Sequence, residues 1–151
     1  MKVLALGGSG GMGRFSSFAI SNYPNITKVT IADLNEANAK EFSNHFDDRF
    51  TGIGLDVTDK EHLEKVMSDH DIVLNTTGPF FKFGLPILKS AIKCKCHYFD
   101  ICDDWEPTEE MLKLNDEALK NDITAIVGLG ASPGISNLLG LKAMNELDEA
   151  E

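Results

Sequence analysis

Cysteine is scarce in this chain: three residues in 151, Cys94, Cys96 and Cys102, lying close together. An odd, crowded set is a poor basis for a disulfide framework and agrees with a reducing compartment. With His97 the three also read as metal ligands. On a strand, however, Cys96 and His97 point to opposite faces and do not converge on one tetrahedral ion, so reduced thiols and no metal are expected. Long apolar runs are missing as well. The first, Val3 to Leu6, meets glycine far short of a membrane-inserting or signal-peptide length, which leaves a cytoplasmic location and no membrane contact as the expectation.

Basic side chains are sparse in the last third. Residues 1–99 hold 11 acidic and 11 basic side chains while residues 100–151 hold 13 and 3, so the whole net charge of −10 sits there. Nucleic acid and anionic membranes require a basic patch, and neither is an expected partner. The acids read as solvated helix faces or, alternatively, as a dock for a basic partner. A length of 151 residues, 42% hydrophobic and 25% charged, fits one soluble globular domain, 1–151.

Two absences bear on catalysis. No Gly-Lys-Ser/Thr follows the glycine cluster near the N-terminus, which excludes a nucleoside-triphosphate P-loop. Neither Tyr23 nor Tyr98 has lysine four residues later, which removes the proton donor of short-chain dehydrogenases. Nothing beside the cysteines activates a thiol nucleophile either.

What is present begins with "ALGGSGGMGRF", Ala5 to Phe15, which carries Gly7, Gly8, Gly10, Gly11 and Gly13. Gly8, Gly10 and Gly13 make a GxGxxG turn directly after an apolar run and before a helical pattern. The first permits the tight turn, the second lets backbone approach a pyrophosphate, and the third packs helix on strand. Ser9, Gly11 and Met12 complete the turn, and an anion there meets the amides and positive dipole end of the helix. Asp33 ends the second strand twenty residues beyond Gly13. A carboxylate at that place accepts hydrogen bonds from both adenosine ribose hydroxyls and repels a 2′-phosphate. The alternative is that Asp33 or Asn35 only caps the next helix.

Strand-like runs alternate with helix-period segments throughout. Val3 to Leu6 precedes a helix through Phe15, Phe18 and Ala19 that ends at Pro24. Lys28 to Asp33 precedes a helix with Phe42 and Phe46. Ile53, Leu55 and Val57 have strand spacing, followed by Thr58 and Glu61 in capping-box register. A fourth run from Asp71 breaks at Gly78-Pro79, with a helix from about Leu85 to Ile92. A fifth starts at His97, and its helix carries Met111, Leu114 and Ala118. The sixth spans Ile123 to Gly134 and leads to a final helix, about 135–148, with Ile135, Leu138, Leu139 and Leu147. Six strands alternating with six helices predict an α/β, doubly wound parallel six-stranded sheet of order 3-2-1-4-5-6, a Rossmann fold.

In such a sheet ligands bind beyond the carboxyl ends of the strands, where strand order reverses. Four strand ends carry unusual chemistry: the glycine turn, "NTTGPFF" (Asn75 to Phe81), "DICDDW" (Asp100 to Trp105) and "GLGASPGISN" (Gly128 to Asn137). Asp56 and Val57, ending the third strand, are placed to flank an adenine. Tyr98 and Asp100, two apart on one face of a strand, are the polar pair suited to substrate or proton handling; Tyr98 also reads as a core aromatic with a satisfied hydroxyl.

At these residues the sequence resembles the saccharopine dehydrogenase family, in its nicotinamide-dinucleotide-binding domain. The resemblance runs through the glycine turn, Asp33, "GLDVTD", the Val73 to Ala91 segment, "HYFDICDD" and the "SPG" turn. It implies that Gly8 to Gly13 hold the pyrophosphate, Asp33 the adenosine ribose, and Asp56 with Val57 the adenine edge. Asn75, Thr76, Thr77 and Gly78, followed by Pro79, would approach the nicotinamide ribose, and the Ala131 to Gly134 turn, with Ser132, the nicotinamide face.

The resemblance further implies an oxidoreductase that moves hydride to or from a carbon bearing a secondary amine in an amino-acid or polyamine conjugate. Family members often carry a basic residue just after the second strand, and "ADLNEAN" has none, which tilts the expected cofactor toward NAD over NADP. Family enzymes also continue into a substrate-binding domain with dimer contacts. The expectation is therefore a cofactor domain that binds dinucleotide and does not turn over alone. Its substrate would be held mainly elsewhere, and the final helix would expose part of an apolar face. The other reading is a stand-alone NAD-sensing module of a transporter or channel, though such modules lack the TTGPF and SPG turns.

Overall fold

The computed structural model describes residues 1–147. Six strands alternate with seven helices: β1 (Lys2–Leu6), α1 (Gly11–Ser21), β2 (Lys28–Asp33), α2 (Glu36–Ser43), β3 (Phe50–Gly54), α3 (Lys60–Met67), β4 (Ile72–Asn75), α4 (Phe80–Lys93), β5 (His97–Asp100), α5 (Trp105–Leu112), α6 (Asn115–Lys120), β6 (Ala125–Ile126) and α7 (Ile135–Asn145). All strand pairs are parallel in the expected order 3-2-1-4-5-6. Strand order reverses at β1, whose neighbours are β2 and β4.

The middle strands are apolar on both faces because helices cover both. Along β1, Leu4 and Leu6 enter one buried cluster with Leu63 and Ile87, while Val3 enters a second with Val29, Phe42 and Phe50. Alternation thus feeds two cores, one on each side of the sheet.

Several sequence expectations shift. The third strand lies earlier than the Ile53, Leu55, Val57 spacing predicts, because Phe50 and Thr51 extend the ladder on β2 and pairing stops at Gly54. Gly52 gives α2 its approach to the sheet: a side chain there would collide with Ala39 backbone. Helix α3 is capped by Asp59, which accepts the His62 amide at 3.0 Å, and not by Thr58. Helix α4 starts at Phe80 and contains Pro86, since Phe80, Ile87, Leu88, Ala91 and Ile92 form one buried face.

The helix expected through Met111, Leu114 and Ala118 is two, α5 and α6, broken at Lys113 and Leu114. The sixth strand shrinks to Ala125–Ile126. In α1 the sheet-facing residues are Gly13 and Ser17, while Phe15 and Ala19 face outward and Phe18 reaches sideways to Phe42 and Phe46. Helix α7 buries no residue and leaves Ile135, Leu138, Leu139, Leu141 and Met144 56–69% exposed. The expected helix end at 148 lies outside the described residues. Among the described residues no helix is long and apolar enough to cross a membrane.

Candidate functional site

The glycine turn sits where β1 gives way to α1, at the reversal of strand order. Gly7 takes a left-handed φ of +67°, so it makes the turn that the GxGxxG pattern assigns to Gly8. Gly13 is the close contact: a Cβ there would strike the Gly7 carbonyl and the Gly8 backbone. Gly10 caps α1 and has no side chain to satisfy the first amides, whereas α2 and α3 are capped by Asn35 and Asp59. The open amides of Gly11, Met12 and Gly13 are therefore free for an anion.

Ser9 is buried, and its hydroxyl donates to Asp33 Oδ2 at 2.6 Å. The other carboxylate oxygen accepts the Asn35 amide at 3.2 Å. Asn35 itself caps α2 through the Asn38 amide at 3.1 Å. Capping and carboxylate are thus divided between two residues, and Asp33 faces a cleft of about 210 Å³. Gly7, Asp33, Asp56, Val57, Thr77 and Gly78 meet around that cleft, with Leu34 and Phe83 as apolar walls. The Asp56 carboxylate accepts both the amide and the hydroxyl of Thr58, at 2.8 and 2.7 Å, and these bonds lower its pKa.

At the end of β4, Thr76 ties two strands together: its amide and hydroxyl both donate to the Leu6 carbonyl. Thr77 differs. Its Oγ1 is buried and has no hydrogen-bond partner among the described residues, although Thr77 lines the cleft. An orphaned hydroxyl on a residue of the cleft wall suits a polar ligand. Pro79 caps α4.

Ala131 and Ser132 lie apart from this cleft. They belong to a turn closed by a bridge between Gly130 and Gly134, and Ser132 lines a wider opening of about 570 Å³ with Asp103, Asp104, Trp105 and Asn137. Tyr98 and Asp100 are fully buried, and their polar atoms bond to each other and to neighbours. Neither side chain of this pair reaches solvent in the chain as it stands. Cys96 is buried too, with its thiol pushed up to about 11 by desolvation.

Sequence reasoning missed Gly7 and Arg14. Gly7 stood outside the motif spacing. Arg14 donates from Nε to the Ser9 carbonyl at 2.8 Å, and its guanidinium lies over the Phe42 ring, 4.6 Å from the centroid. Ser9 therefore contacts the Asp33 carboxylate through its hydroxyl and Arg14 through its carbonyl.

A parallel sheet that reverses order at a glycine turn, with an acid at the end of the next strand, defines a Rossmann-type dinucleotide-binding domain. Within that class the chain belongs to the family described as "Saccharopine dehydrogenase NADP binding domain", which matches residues 3–126. It is 31% identical over 122 residues to the "Saccharopine dehydrogenase [NADP(+), L-glutamate-forming]" of Saccharomyces cerevisiae, covering 81% of this chain and 26% of that protein. The enzyme of the same name from Pyricularia oryzae is 30% identical over 123 residues, covering 82% and 26%. The solved apo saccharopine dehydrogenase (L-Glu forming) from S. cerevisiae superimposes with a TM-score of 0.81 at 30% identity, over 96% of this chain and 31% of that one. The chain thus spans about a quarter of the length of these curated relatives. Their names, and the family's, carry NADP, so the comparison leans away from the NAD expected from the sequence.

Proposed function

We propose that this chain is the nicotinamide-dinucleotide-binding part of an oxidoreductase that moves hydride to or from a carbon–nitrogen bond in an amino-acid or polyamine conjugate. The observation that carries the reading is a glycine turn that leaves α1 uncapped and whose Gly7 lines one cleft with Asp33, which Ser9 fixes at 2.6 Å, and with Thr77, whose hydroxyl is orphaned. When bound, the nicotinamide supplies the hydride chemistry, and this chain's residues bind and orient it. The open amides of α1 take the pyrophosphate, Asp33 the adenosine ribose, and the Thr77–Gly78 turn the nicotinamide ribose.

The two forms of the dinucleotide are separated by two side chains. The relatives' names favour the phosphorylated form, and Arg14 is a cation on the glycine-turn helix that can serve it, its side chain's one hydrogen bond among the described residues being that from Nε to Ser9. Asp33 opposes a 2′-phosphate. A substrate held mainly by parts of a longer enzyme, low turnover by this chain alone, and a homodimer of the whole enzyme complete the proposal. Three unpaired cysteines suit a reducing, cytoplasmic setting. Fluorescence titration with NADH and NADPH tests binding, and a chain that binds neither overturns the reading. Steady hydride transfer by the chain alone overturns the claim of low turnover.

A further inference from the structure

Asn75, Tyr98 and Asp100 are all fully buried, and one line of hydrogen bonds joins them. The Thr77 amide donates to Asn75 Oδ1 at 3.0 Å, and Asn75 Nδ2 donates to the Tyr98 hydroxyl at 3.0 Å. The Tyr98 hydroxyl donates to Asp100 Oδ2 at 2.8 Å. Asp100 Oδ1 then accepts the amides of Cys102 and Gly128, at 3.0 and 2.8 Å. The line crosses from the turn after β4, through β5, to the segment after β6.

Each bond fixes the next. Asp100 acts as acceptor in every contact, so the phenol donates to it and offers its lone pair to Asn75. That leaves the carboxamide only one orientation, with its oxygen on the Thr77 amide. Burial and the Asp100 charge hold the phenol protonated by pushing its pKa well up. Neither Tyr98 nor Asp100 is exposed to a ligand, whereas Thr77 and Gly78 line the cleft. A buried network satisfied at every member specifies one geometry for the groups at its ends.

We infer that Tyr98 and Asp100 are positioning residues: acting through Asn75 they set the Thr77–Gly78 turn against the nicotinamide half of the cofactor, while the adenosine half is held independently. This rests on the cofactor reading above. Tyr98→Phe removes one hydroxyl and leaves Asn75 Nδ2 and Asp100 Oδ2 without their shared partner.

The test compares wild type, Tyr98→Phe and Asn75→Ser for affinity toward a reduced dinucleotide and toward the matching ADP fragment, which lacks both the nicotinamide and its ribose. The emission of the bound reduced nicotinamide is read as well. In both variants the whole cofactor should weaken about tenfold, the order expected for one buried hydrogen bond, and its emission should move toward that of free cofactor. The fragment should bind within about twofold of wild type, which also reports that the variant is folded. Equal losses for both ligands, or an unchanged whole cofactor, overturn the inference. A wild type that binds neither ligand overturns the cofactor reading itself.

Discussion

Ser9 and Asp33 are joined by a 2.6 Å hydrogen bond across the opening between the glycine turn and the end of β2. The bond takes one lone pair of the carboxylate and points the rest of it into the cleft. Since Ser9 also receives Arg14 through its carbonyl, the loop holds an anion and a cation at fixed places on one residue.

Selectivity between the dinucleotides should therefore respond to these two side chains in opposite directions. Asp33→Ser removes the charge that opposes a 2′-phosphate, and should raise the NADPH-to-NADH affinity ratio by about tenfold, roughly 1.4 kcal/mol. Arg14→Ala should lower the same ratio while leaving NADH nearly unaffected. Titration of both cofactors against both variants reads the ratio directly, and parallel changes in the two affinities would count against the assignment.

Gly13→Ala should damage both folding and binding. The added methyl meets the Gly7 and Gly8 backbone rather than a movable side chain end, so relief requires α1 to slide away from β1. Overpacking of this kind costs on the order of 1–3 kcal/mol. A lower melting temperature and lost cofactor binding should appear together. Gly11→Ala is the control, because a methyl group added there meets nothing within 4 Å, and it should melt like wild type.

The parts of the fold legible in the sequence are those where one segment decides its own fate. Lys28–Asp33 is a strand from its β-branched apolar run, and Asp33 ends it as the motif requires. The missed parts depend on partners. Phe50–Gly54 contains two glycines and reads poorly as a strand until α2 is seen packing against Gly52. Phe15 and Phe18 suggest the buried face of α1, yet that helix lies so close to the sheet that only Gly13 and Ser17 fit beneath it. Tyr98 and Asp100 were visible as a polar pair on one strand face. That each satisfies the other, with Asn75 from the next strand, is a tertiary fact that spacing does not contain.

Helix α7 contributes little to the fold, since it buries no residue. Replacing exposed Leu138 and Leu141 by serine should leave the melting temperature within a few degrees of wild type, as surface changes normally cost under about 0.5 kcal/mol. The same double variant should reduce self-association in light scattering, because both side chains belong to an uncovered apolar surface. A large drop in melting temperature would show that α7 is packed after all.

Acid should destabilise the chain through His70. This side chain is buried between β2 and α3, where Nδ1 lies 2.8 Å from the Val66 carbonyl and Nε2 2.8 Å from the Thr30 hydroxyl. A carbonyl only accepts, so Nδ1 carries the proton and Nε2 accepts from Thr30 in the neutral ring. Burial lowers the His70 pKa first; Lys28 and Lys2 push the same way, against the Val66 carbonyl and Asp69. With the folded pKa below the ordinary value near 6.5, the unfolded chain takes up the proton first as pH falls. The neutral ring's contribution is thus complete above that value and is lost as pH drops from it toward the folded pKa. Melting temperatures between about pH 7.5 and 5.5 should fall more steeply for wild type than for His70→Gln, whose amide does not titrate in this range. Parallel slopes for the two proteins would remove His70 as the cause.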